Sequence, residues 1–282
     1  MSETYDLYGC EGYPIQNFND WEKHGMPPER KLQQFKPGRS AYELAVLYTA
    51  TGRPTIPTEL RCILDSHEDT EGMVIEAGKV ERETPLPHST KGNRCHDLSF
   101  DGSLSPRELF VSIEGKADEP FGDTVANELR KALRRPATDF PQRLEWLTQS
   151  LLGVPAFKDP QRKNSNPAIQ SVGYQLLAGV AATLLEARNR GARGAIFVVH
   201  EFRTAKTSDA KMQKNAEALD SFLRLLLRSN GAANDEFELE GGRLLRFPLF
   251  PRAFQSGETS LPSDIPLYIG KIRTDLRFAA KD

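Results

Sequence analysis

Apolar and polar positions alternate most cleanly over residues 108–116, where Leu109, Val111 and Ile113 point one way and Phe110, Ser112, Glu114 and Lys116 the other. Residues 97–101 repeat the pattern, with Leu98 and Phe100 opposed to Asp97, Ser99 and Asp101, and residues 101–106 carry turn chemistry (Asp-Gly-Ser-Leu-Ser-Pro). The spacing predicts a hairpin folded about Ser105 and Pro106, with Ser99 opposite Ser112 and Asp97 opposite Glu114. Directly opposed residues share a face, roughly 4.5–5.5 Å apart at Cβ. Two carboxylates and the Lys116 amine therefore gather on one polar face, and a slip of one residue would turn the apolar set out of the core.

Around this hairpin the periodicity is mostly helical. A helix is expected over 40–51, buried through Leu44, Leu47 and Tyr48 and stopped by Gly52 and Pro54; Ser40 with Glu43 has the spacing of a capping box. Further helices are expected over 57–66, from Asp123 or Thr124 to 135, over 141–152, 167–190 and 211–229. A short strand is expected at 73–77 and a polar loop at 81–93 and again at 153–166. The uninterrupted apolar run Ala195-Ile196-Phe197-Val198-Val199 predicts a strand covered on both faces, with His200 and Glu201 at its boundary. Short strands over 244–249 and 267–272 close the chain. The order is αβββαβ with extra helices: an α/β fold on a mixed central sheet. Residues 1–38 read as an irregular aromatic arm, and 39–282 as a single domain with a C-terminal extension.

Composition narrows the chemistry. The formal net charge is −2 over 282 residues, so any surface for nucleic acid must be local. The basic residues Arg130, Lys131, Arg134 and Arg135 have two readings: complement to a helix C-terminus, or a phosphate-contacting patch. Three cysteines without CxxC spacing point to a reducing compartment, and Cys95-His96 near His88 matches no zinc pattern. No apolar run approaches the ~20 residues needed to cross a bilayer, residues 1–6 carry no apolar signal segment, and a cytoplasmic location is expected. No GxSxG string supports a serine hydrolase.

Two carboxylates beside an amine suit a hard divalent cation, since Mg²⁺ is usually held by one or two carboxylates together with substrate phosphate. Asp97, followed by Glu114-Gly115-Lys116 at the end of an apolar strand, resembles the signature of the PD-(D/E)XK nuclease superfamily, although no proline precedes Asp97. The longer string Glu114-Gly115-Lys116-Ala117-Asp118-Glu119-Pro120-Phe121-Gly122 resembles a functionally unassigned branch of it, and the resemblance spans roughly residues 40–202. It implies a restriction-endonuclease-like fold and metal-dependent hydrolysis of phosphodiester bonds in DNA or RNA. Mg²⁺ or Mn²⁺ would be held by Asp97 and Glu114, with the Gly115 carbonyl and Glu43 as further ligands, and Lys116 would act beside the metal. Glu43 thus has a second reading besides the capping box. Gln175, early on an apolar helix, either faces water or orients Lys116 or a phosphate. A non-catalytic binding or regulatory module on the same fold is the alternative function.

Overall fold

The structure, a computed structural model, describes residues 3–88, 93–134, 138–158, 166–231, 242–249 and 260–277. In chain order the elements are β1 (Asp6–Tyr8), β2 (Pro14–Ile15), α1 (Phe18–His24), α2 (Pro28–Gln34), α3 (Ser40–Tyr48), α4 (Thr58–Leu64), β3 (Val74–Thr84), β4 (Arg94–Leu104), β5 (Arg107–Lys116), α5 (Val125–Leu133), α6 (Phe140–Leu152), α7 (Tyr174–Asn189), β6 (Gly194–Arg203), α8 (Asp209–Ser229), β7 (Leu245–Phe247) and β8 (Leu267–Asp275). One mixed sheet runs β2-β1-β3-β4-β5-β6-β8-β7. The pairs β3·β4 and β4·β5 are antiparallel, whereas β5·β6 and β6·β8 are parallel. The fold is therefore α/β, as the alternation of periods implied. Among the described residues no helix is long and apolar enough to cross a membrane.

The alternation along β5 decides which core each residue joins. Leu109, Val111 and Ile113 enter a core shared with Leu44 and Tyr48 of α3 and Leu60 of α4. Phe110 enters the opposite core, built by α5, α6, α7 and α8 around Leu129, Leu147, Val180 and Leu223. Ser112, Glu114 and Lys116 share the side of Phe110 and are buried under α7. The face that reads as polar in sequence is thus covered rather than solvated. In β6, Ile196 and Val198 enter one core while Phe197 and Val199 enter the other, which is why this run lacks alternation.

The hairpin register is the expected one from Leu104 paired with Arg107, through Ser99 with Ser112, to Leu98 with Ile113; the expected pair of Asp97 with Glu114 does not form, because the ladder stops there. Other elements differ from the sequence expectation for local reasons. β3 runs on to Thr84 through residues expected to form a loop, because Arg82 and Thr84 pair with His96 and Arg94. The change of phase that hides this strand falls at the irregularity between Ile75 and Ala77, and further along it Glu81 is a non-glycine residue at φ 50°. α7 begins at Tyr174 rather than at 167, because Gly173 is extended and bridges to Thr124, the N-cap of α5. The N-terminal 38 residues are more regular than an irregular arm: β1 pairs in parallel with β3. The C-terminal part supplies β8, paired with β6 along nine residues of each strand, so it belongs to the sheet rather than appending to it. Residues 135–137, including the expected helix end at Arg135, and residues 89–92 and 159–165 of the expected loops lie outside the described residues.

Candidate active site

β4 and β5 part company at Asp97. Their ladder ends with Leu98 paired to Ile113. Beyond it β5 stays with β6, pairing Glu114 with Val199 and Lys116 with Glu201, while β4 stays with β3, pairing His96 with Arg82. At the split a side chain takes over from the backbone: the Gly115 amide donates to Asp97 Oδ2 at 2.8 Å. Gly115 lets α3 pack closely here, since an added Cβ would lie 2.9 Å from Leu44 Cδ1 and 3.1 Å from Ser40 Cβ and would force one of them to shift.

The split is lined by charge. Lys116 Nζ donates to Glu114 Oε1 at 2.7 Å and to Gln175 Oε1 at 3.0 Å. Its ammonium also stands 5.4 Å from the centroid of the Phe121 ring. The other oxygen of Glu114, Oε2, accepts a hydrogen bond from Arg94 Nη2. Burial works against the ionised form of Glu114, but Arg94 and Lys116 outweigh it and hold the carboxyl below its usual range. At Asp97 the balance is reversed: burial, then the charge of Glu114, outweighs Lys116 and Arg94 and pushes its pKa up to about 8.

The residues singled out in the sequence fall into two groups. Asp97, Glu114, Lys116 and Gln175 meet at the split. Glu43 does not join them. It is on α3, which packs on the opposite face of the sheet, and its Oε1 accepts from the Gly38 amide at 2.7 Å. The capping box is shifted as well: Arg39 is the N-cap of α3, and the amide of Ser40 donates to Glu119 Oε1 at 3.1 Å. Gly115 contributes its amide to Asp97, as above. His200 and Glu201 lie inside β6 rather than at its boundary. His200 is bonded to Tyr48 Oη at 3.1 Å and Thr274 Oγ1 at 2.9 Å, and burial lowers its pKa to about 3. Glu201 accepts from Arg273 Nε at 3.0 Å and pairs with Lys271 at 3.2 Å. Cys95 and His96 do not converge: the thiol donates to Glu81 Oε2 at 3.0 Å, and the imidazole bridges Ser112 Oγ (2.6 Å) and Thr84 Oγ1 (3.0 Å). In the basic patch, Lys131 is bonded to Asp123 and Glu128, which answer its charge, and Arg130 to the neutral Asn127.

Sequence reasoning missed Arg94, Glu119 and the role of Gly122. Arg94 carries no motif; only its position three residues before Asp97 on the same strand would have pointed to it. Glu119 Oε2 accepts from the amides of Ala117 (2.9 Å) and Asp118 (3.0 Å), and its carbonyl accepts from Asn215 Nδ2 at 2.9 Å. It fastens the end of β5 to α3 and α8. Gly122, at φ 66°, brings the chain against Gln175, whose Cγ would lie 3.0 Å from an added Cβ. The string after Lys116 thus seats the lysine: Phe121 lies beside it and Gly122 makes room for its glutamine.

The raised pKa of Asp97 makes the metal-free fold pH-dependent. In the folded protein Asp97 keeps its proton up to about 8, against an ordinary value of 3.8 when unfolded. Between those values the native state binds more protons than the unfolded one, so stability falls as pH rises. The contribution is present in full below about pH 4 and lost as pH passes about 8. Asp97→Asn lacks this term. In EDTA its melting temperature, compared with that of the wild type, should rise steadily from about pH 5 to about pH 9. A difference that stays flat over that range would show that Asp97 titrates normally.

The two carboxylates offer the oxygen ligands that a hard cation takes, with water and substrate filling its other positions. Asp97 and Glu114 are the residues that would hold it, with Arg94 competing for Glu114 Oε2. Among the described residues no group of three or more His, Cys, Asp or Glu could cage a metal by itself. The fold and this cluster define an α/β mixed-sheet protein with a buried acid–cation site at a strand split. The chain belongs to a family described as a domain of unknown function (DUF6946), which it matches over residues 14–276. No curated protein and no solved structure matches it.

Proposed function

We propose that this protein is a metal-dependent nuclease of the PD-(D/E)XK kind, hydrolysing phosphodiester bonds of DNA or RNA with Mg²⁺ or Mn²⁺. The observation that carries the reading is the seat of Lys116. Its ammonium is fixed between Glu114 Oε1 and Gln175 Oε1, beside the point where Asp97 closes on Gly115. The order α3, β3-β4-β5, α7, β6 supports it as well. Asp97 and Glu114 would hold the divalent cation, which would supply Lewis acidity and positive charge for phosphodiester hydrolysis. Lys116, held as a donor by two oxygens, offers a third N–H to charge developing on the phosphoryl oxygens. Gln175 is a positioning residue: it fixes the lysine without touching substrate. α7 and Phe121 keep bulk water from the lysine, which strengthens each of these interactions. We place the activity in the cytoplasm, in keeping with three free thiols.

One observation favours the second reading, a non-catalytic binding or regulatory module: Arg94 already supplies Glu114 with a cation. A cleavage assay on single- and double-stranded DNA and RNA separates the two. The nuclease reading expects cleavage with Mg²⁺ or Mn²⁺ and its abolition by EDTA. No cleavage of any of the four substrates, together with no divalent binding at millimolar concentration, would replace the enzyme with the module.

A further inference from the structure

We propose that Arg94 is the built-in counter-cation of this site, holding Glu114 until a divalent metal arrives and then turning to a phosphate oxygen of the substrate strand; the inference rests on the nuclease reading above. The guanidinium is largely buried on Glu114, the two side chains being 14 % and 3 % exposed. Glu114 is thereby held by two cations, Arg94 and Lys116, whereas among the described residues Asp97 accepts its hydrogen bond from a backbone amide. A divalent cation entering between the acids adds two positive charges beside Arg94, so the guanidinium and the metal compete for the same oxygen.

Where Arg94 would go is written in its unused donor. Its Nε is buried and makes no hydrogen bond among the described residues. A buried N–H without an acceptor is costly, and folded proteins tolerate few. An arginine presents its donors as a planar fork that matches two oxygens of a phosphate. A phosphodiester brought to the metal supplies the acceptor that Nε lacks and replaces the carboxylate that Nη2 gives up. The guanidinium lies beside Gly179 of α7, where an added Cβ would be in ordinary contact with Arg94 Nη2 at 3.9 Å and would crowd the Phe197 ring at 2.9 Å.

The test is calorimetric titration of Mn²⁺ into the wild type and Arg94→Gln, with Arg94→Met as a second variant should the first fail to fold. Removing the competing cation should tighten Mn²⁺ binding at least about tenfold, within what a unit charge at ~4 Å is worth inside a protein. Binding of a cleavage-resistant phosphorothioate single-stranded oligodeoxynucleotide is then measured with and without Mn²⁺. In the wild type Mn²⁺ should tighten oligonucleotide binding; in the variants that gain should be lost. Unchanged Mn²⁺ affinity in the variants, beside a wild type that binds metal and cleaves, overturns the counter-cation and leaves the nuclease standing. Tighter Mn²⁺ with an undiminished oligonucleotide gain overturns the phosphate ligand. If neither wild type nor variants bind Mn²⁺, the nuclease reading falls and this inference falls with it.

Discussion

Lys116→Ala should bind divalent metal at least as tightly as the wild type while turning over about 100- to 1,000-fold more slowly, the usual cost of losing one preorganised donor aimed at transition-state charge. The lysine is no ligand: its three N–H groups can only donate. Two of them are spent on Glu114 and Gln175, at 2.7 and 3.0 Å. Removing the ammonium takes a positive charge away from the metal position, which favours the metal, and takes a donor away from the phosphate, which slows the reaction. Gln175→Ala should cost less, because the lysine keeps Glu114. Metal titration beside single-turnover cleavage checks the pair. Equal loss of metal affinity and rate in Lys116→Ala would mean that the lysine organises the acids rather than the reaction.

Glu114→Ala should destabilise the fold by about 3–5 kcal/mol, the range found when one partner of a buried ion pair is removed. The variant leaves Arg94 and Lys116 without their shared carboxylate, in places where they are only 14 % and 5 % exposed. Unpaired charge in such surroundings is the main cost, ahead of the small loss of packing. Glu114→Gln keeps an acceptor for one of them and should lose less stability, while losing the ligand charge and with it metal binding and cleavage. Denaturant unfolding of the three proteins in EDTA gives the order wild type, Gln, Ala. A stability for Ala close to wild type would mean that Arg94 and Lys116 escape to water.

Much of this site was legible because strand alternation carries geometry. Leu109, Val111 and Ile113 fixed the face of Glu114 and Lys116, and the symmetric turn at Ser105-Pro106 fixed the register as far as Leu98 and Ile113; the expected pairing of Asp97 with Glu114 gives way to a bond from the Gly115 amide. Gln175 stood out as a polar residue on an apolar helix, and it does reach Lys116. What stayed hidden depended on breaks in periodicity or on long-range pairing. The shift between Ile75 and Ala77 breaks the alternation of β3, and Arg82 and Thr84 beyond it are polar, so they read as loop. Arg94 reaches Glu114 from a strand 20 residues away, and no local pattern announces that. Glu43 looked correct by type and spacing, but the sheet stands between its helix and the acids: Leu44 packs with Val111 and Ile113, on the side away from Glu114.

The most direct measurement is diffraction from crystals soaked in Mn²⁺, recorded to detect anomalous scattering from the metal. The account predicts one strong peak about 2.0–2.2 Å from carboxylate oxygens of Asp97 and Glu114, with the Arg94 guanidinium moved off Glu114 Oε2. A map without that peak, with Arg94 still bonded to Glu114, would contradict it.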